Sequence, residues 1–367
     1  MLNSGHSADS LPLVEQLKQA IDSNNLEQVK QLMAAHPTLH QSPLGYGGNG
    51  PLTWVAECRV PREAPSETRL LMARWMIENG SDIHQGGDGP LMRAALSDSR
   101  IPMMELLVAH GGDVNALWNG TYPIVHAPCE TLAPQALKWL LDHGVNLQTP
   151  GQDPGSLFRM LVCTYARNAK GRSACLEVLA AAGADLPDTP MMAFHRGRLD
   201  LLESHLQREP SLLDRRFTTE EIFPPAPGVE AEEGLHVTPV SGGTLLHLAV
   251  EYDDLDAARW LLDRGANANT QAAVDADRFG GHTPIFHAVV TLAPHDDAMA
   301  RLLLAQGANP NARATFRKQL RDMGDPEKER MREFRDVSPV GYAHQFQEQR
   351  WVNEPALAAI IEYGGKE

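Results

Sequence analysis

The chain has 367 residues, 43% of them hydrophobic and 6% aromatic, with a formal net charge of −15. That acidity argues against a nucleic-acid binder, which carries a basic stripe, and no run approaches the roughly 18 apolar residues of a membrane helix. Residues 1–10 hold no basic segment followed by an apolar run, so no leader is expected. The four cysteines, Cys58, Cys129, Cys163 and Cys175, lack zinc-finger spacing and fall on expected helices, which points to free buried thiols in a reduced, cytoplasmic setting.

Leu11 to Pro37 reads as a helix pair. Val14, Leu17, Ala20 and Ile21 recur at helical spacing, and Leu26, Val29, Leu32 and Met33 do so after Asn24-Asn25. Gly50-Pro51-Leu52-Thr53-Trp54-Val55-Ala56 opens the next unit, whose two helices are separated by a long polar join, Arg59 to Glu67. Asp88 to Leu117 is a regular unit. Trp118 to Thr149 is regular except for Pro128, which is expected to kink its first helix or end it early. Gly155 to Asp188 is divergent, with an expected long join around Ala169-Lys170-Gly171. Thr189 to Asp214 lacks a closing glycine.

Phe217 to Ser241 is rich in proline, glycine and acids, as in Pro224, Pro225, Pro227, Gly228 and Glu230, and reads as a loop acting as cover or linker. Then Thr244-Leu245-Leu246-His247-Leu248-Ala249 opens a short helix. Leu255, Ala258, Leu261 and Leu262 form the stripe of a second, and Gly265-Ala266-Asn267 stops it. His282-Thr283-Pro284-Ile285-Phe286-His287-Ala288 repeats the opening and Gly307-Ala308-Asn309 the close. The insertion at 314–336 interleaves Arg317, Lys318, Arg321, Lys328, Arg330, Arg332 and Arg335 with acids, as on a solvated helix pair. Ser338-Pro339-Val340-Gly341-Tyr342-Ala343 starts the last unit.

These openings and closing glycines, at a period near 33 residues, resemble the ankyrin repeat. The resemblance implies an all-α fold: an ankyrin-repeat solenoid of helix-turn-helix units with β-turn fingers, in a curved stack of about nine units. The expected divisions are an N-terminal lobe at 1–217, a spacer at 218–241 and a C-terminal lobe at 242–367. The resemblance also implies a scaffold that binds a protein partner through its fingers and concave face. His247 then matches the repeat's own structural histidine.

One feature departs from the pattern. The position between the motif's histidine and alanine, usually leucine in the family, is here Trp54, Arg93, His126, Arg159, Ala193, Leu248, His287 and Tyr342 in successive units. Glu57 and Glu130 stand one helical turn beyond Trp54 and His126. The alternative to a scaffold is therefore a groove site for an anionic or polyhydroxylated small molecule. In it His126, Glu57 and Glu130 act as acid–base groups in hydrolase or lyase chemistry. Trp54, Arg93, Arg159, His287 and Tyr342 contact the ligand, guanidiniums suiting carboxylate or phosphate. Two arginines beside His126 are expected to lower its pKa. His126 and Cys129 have helical zinc-ligand spacing, but Pro128 lies between them and further ligands are missing, so no metal is expected. No cofactor is expected either. A third reading is a purely structural or inhibitory partner of a neighbouring gene product.

Overall fold

The computed structural model describes residues 12–44, 48–57, 64–85, 89–118, 120, 122–147, 155–223, 236–320 and 324–367. They belong to two compact units, 1–149 and 150–367.

In the first unit the helices come in pairs. These are Leu13–Asp22 with Leu26–Ala35 (α1, α2), Pro51–Glu57 with Glu67–Glu78 (α3, α4), Gly89–Ala95 with Ile101–Ala109 (α5, α6), and His126–Thr131 with Pro134–Asp142 (α7, α8). First helices pack on first helices, α1 on α3, α3 on α5 and α5 on α7; second helices pack likewise, α2 on α4 and α4 on α6. Each helix is too short to be stable alone, so its apolar face must be buried by its neighbours. Leu17 and Ile21, Leu52 and Val55, Met103 and Leu107 fill that interior. A two-stranded finger, β1 (Leu117–Trp118) with β2 (Tyr122–Pro123), precedes α7.

Pro128 ends up in the first turn of α7, where its missing N–H costs nothing. The helix is nonetheless only six residues long and stops at Leu132, which takes the left-handed conformation at φ 58°.

The second unit holds Gly155–Cys163 with Ala169–Ala181 (α9, α10), Pro190–His195 with Leu199–Arg208 (α11, α12), and the single turn Thr219–Ile222 (α13). Beyond these lie Leu245–Glu251 with Leu255–Asp263 (α14, α15), Ile285–Val289 with Ala298–Ala305 (α16, α17), Pro326–Glu329 (α18), and Pro339–Gln345 with Glu354–Glu362 (α19, α20). Ala169-Lys170-Gly171 does not form a join: it is the first turn of α10, capped by the Asn168 side chain on Gly171 N–H.

α15 shows why the units end where they do. Gly265 sits at φ 94° and donates to the Leu262 carbonyl, while Ala266 N–H reaches back to Leu261 at 3.0 Å. This closes the helix with the paired bonds that only a left-handed residue permits. Gly307 and Ala308 repeat it after α17.

A further expectation is corrected. The insertion at 314–336 is not a helix pair. It is an antiparallel hairpin, β3 (Ala314–Lys318) with β4 (Arg332–Val337), carrying α18 between its strands. Its charges alternate with Phe316 and Phe334, which face each other across the strands and pack on Tyr342 with ring centroids 4.8 Å away. A two-residue period around aromatic anchors is a strand signal, and the charge alternation masked it.

The described ends of the 217–241 stretch are docked, not free. Phe217, Phe223, Val237 and Val240 are in the core, α13 carries a capping box between Thr218 and Glu221, and Phe217 exchanges backbone hydrogen bonds with Gly242 and Gly243. Residues 224–235, with the prolines and most of the acids, lie outside the described residues.

Candidate functional site

Of the residues expected in the groove, Trp54, Glu57, Arg93, His126 and Glu130 belong to the first unit and Arg159, His287 and Tyr342 to the second. Trp54 is turned to structural use: its indole N–H donates to Asp22 at 2.8 Å, and Lys18 lies 5.2 Å from its ring. Glu57 ends α3, half-buried. Arg93 lies half-buried on α5, and its carbonyl accepts from the Arg100 guanidinium at 2.9 Å. Glu130 is half-buried on α7. His126 opens α7, buried, with its ring 5.7 Å from Tyr122 and its Nε2 without a hydrogen-bond partner. Its pKa is lowered to about 4, as expected, but the cause is burial rather than flanking arginines. Arg159 is buried on α9.

Tyr342, expected to contact a ligand, is instead enclosed. Its hydroxyl is 3.1 Å from Thr238 Oγ1 and 3.2 Å from the Val237 carbonyl, and burial pushes its pKa up. His287 is likewise fully buried, and it belongs to a network that the sequence reading missed. Its Nδ1 is 2.8 Å from one oxygen of Glu251, and Arg167 reaches the other oxygen at 2.9 Å. All three side chains are solvent-free. A carboxylate only accepts, so Nδ1 carries the proton of this bond.

Next to it, Tyr252 donates to the Val162 carbonyl at 2.5 Å and lies under the Arg172 guanidinium, 4.1 Å away. These groups tie α14 to α9 and to the turn before α10. The available signal was Glu251 itself, an acid ending a helix whose every residue is buried.

His247 is structural, as the family pattern implies. Its Nδ1 accepts from Thr244 N–H at 3.1 Å, its Nε2 donates to the His282 carbonyl at 3.1 Å, and burial lowers its pKa to about 3. In the next unit the motif's histidine position is Phe286, and Thr283 Oγ1 is buried without a partner. The histidine has moved one place, to 287, and reaches Glu251 instead.

The loops after the second helices form the open surface. Asn269 stands four residues after Gly265, as Asn311 does after Gly307 and Asn115 after Gly111. Each stitches its loop to the next: Asn269 donates to Gly307 O at 2.8 Å and accepts from Asn309 N–H at 2.7 Å, and Asn311 does the same to Gly364 and Lys366. The intervening Asn267 and Asn309 use their oxygens to accept from Asn269 and Asn311 N–H. Their side-chain NH2 groups have no hydrogen-bond partner among the described residues. These loops line an open polar depression of about 760 Å³ that also includes Asp214, Arg216, Thr283 and Arg313. Arg313 is paired with Asp336, whereas among the described residues Arg216 donates only its Nε, to Gln271 O at 2.9 Å. The fixed spacing Gly-x-x-x-Asn was a legible signal for the stitching residues.

Among the described residues, no group of three or more His, Cys, Asp or Glu is arranged to hold a metal ion, and no helix is long and apolar enough to cross a membrane. Cys129, Cys163 and Cys175 are unbridged thiols, and burial raises Cys163 to about 12; Cys58 lies outside the described residues.

Short helix pairs packed first on first and second on second, closed by left-handed glycines and stitched loop to loop, define a helical-repeat protein. A family model described as "Ankyrin repeats (3 copies)" matches residues 160–314. Among curated proteins, the human "Ankyrin repeat and MYND domain-containing protein 1" is 32% identical over 138 residues, covering 36% of this chain. The match spans only 12% of that protein's length. Residues 160–314 are thus similar to ankyrin repeats, which are in general scaffolds for protein–protein interaction.

Proposed function

We propose that this chain is a binding scaffold whose protein partner lies along the loop-edge depression of the second unit. The observation that carries the reading is the set of donors there. Among the described residues, the NH2 groups of Asn267 and Asn309 and the terminal nitrogens of Arg216 have no acceptor, whereas the neighbouring loop amides are already bonded. The partner segment is therefore rich in acceptors, either backbone carbonyls or side-chain carboxylates. The test is selection from a random-peptide display library on the wild type, with counter-screening on Arg216→Glu/Asn267→Ala/Asn309→Ala. Acceptor-rich sequences that lose binding to the triple variant support the reading. No enrichment, or equal binding to the variant, refutes it.

A second reading is favoured by one observation, the buried His126 Nε2 without a partner. It is a small-molecule site of the first unit for an anionic or polyhydroxylated ligand, in which His126, Glu57 and Glu130 do acid–base work and Arg93 holds the anion. Its test is a phosphate titration of wild type and Arg93→Ala, and affinities that do not differ remove it.

A further inference from the structure

The second unit contains a separate, partly enclosed pocket of about 350 Å³ between the start of α11 and α13. Its walls are Met191, Met192, Phe217 and Ile222, all buried. Its volume lies at the small end of the range that holds organic ligands, and methionine walls adapt to the shape of what enters.

The polar groups of its lining are committed, with one exception. Arg215 is paired with Glu221 and with Glu209, the latter at 3.4 Å. Glu221 also accepts from Thr218 N–H at 2.8 Å. Thr189 Oγ1 accepts from Met192 N–H at 3.1 Å. Glu220 is held below the usual carboxylate range by its own backbone N–H and by Thr218. The exception is His195. Its Nε2 is 3.2 Å from the Ile222 carbonyl, so that nitrogen carries the proton. Burial and the adjacent Arg172 keep the ring neutral. Its Nδ1 is then a lone-pair acceptor, solvent-shielded and without a partner.

We propose that this pocket binds a small, neutral, largely apolar molecule carrying a single hydrogen-bond donor, of the indole or phenol class, whose N–H or O–H is accepted by His195 Nδ1. An anionic ligand gains nothing, because Arg215 is already paired with Glu209 and Glu221 and Glu220 adds a further negative charge at the rim. An apolar ligand without a donor leaves the buried acceptor as it was. This site is independent of the loop-edge depression proposed above.

The experiment is a paired titration of the full chain with indole and with indene, its isostere lacking the N–H. It is followed through the methyl resonances of the 13 methionines, with Met191 and Met192 assigned by Met→Leu variants. Indole is expected to shift Met191 and Met192 alone and to bind about tenfold tighter than indene, although indene is the more apolar. Indene binding as tightly as indole, shifts confined to other methionines, or no shift with indole at millimolar concentration would each overturn the proposal.

Discussion

Replacing Glu251 by glutamine tests the buried network most sharply. The substitution keeps the side chain's shape and removes only its charge. In the wild type one oxygen accepts from Arg167 at 2.9 Å and the other from His287 at 2.8 Å, with no solvent on any of the three. The amide can accept with one atom only, and its NH2 faces a donor. Arg167 keeps its bond to the Thr164 carbonyl at 2.8 Å but loses its counter-charge in a dry site. Removing one partner of such a pair costs about 3–5 kcal/mol. For a unit of this size that is a fall in Tm of about 6–20 °C, at about 2–4 °C per kcal/mol. Urea titration read by far-ultraviolet dichroism measures it. A double variant, Glu251→Leu/Arg167→Leu, is expected to lose less than the sum of the two single variants, since it buries neither charge alone. A loss below about 1 kcal/mol in Glu251→Gln, or strict additivity in the double variant, refutes the argument, because exposed pairs behave that way.

Leu261→Ala, on the buried stripe of α15, is expected to cost about 2–5 kcal/mol in the same titration, the price of an unfilled core position. Asn269→Ala removes two loop-to-loop hydrogen bonds and is expected to destabilise by about 1–3 kcal/mol, well beyond Asn267→Ala, which loses only a turn bond; matching losses would contradict the stitching role. Asp253 sits at φ 54° with its carboxyl pushed up to about 6, by burial first and then by Asp296 and Asp254. A raised carboxyl weakens the fold above that pH and ceases to do so as pH falls below it. Asp253→Asn, which also tolerates the left-handed conformation, should therefore stabilise at pH 7 by about 0.5–1 kcal/mol after solvent screening, and should lose that advantage near pH 4. His126 has the opposite sign: its pKa is about 4 folded and 6.5 unfolded, so stability falls as pH drops through that window. His126→Phe should flatten this part of the pH profile, and an unchanged profile would disprove the assignment.

The repeat itself was legible without coordinates because its signals are local. A left-handed closing residue, a threonine–proline opening and a helical stripe each act within one or two turns of chain, so Gly265, Thr244 and Leu261 sit where their types require. The charged insertion was not legible, because its sense depends on Phe316 and Phe334 finding Tyr342. The groove residues were read by type and period alone, and period does not say which way a side chain is used. Trp54 turns back to Asp22, Tyr342 is sealed beneath Thr238 from 104 residues earlier, and His287 reaches Glu251 across 36. Arg167 and Glu251 stand 84 residues apart in the chain. Only the stacking of one repeat on another removes water from both, and it is that desolvation, invisible in any single repeat, that forces a carboxylate, a guanidinium and an imidazole to find each other.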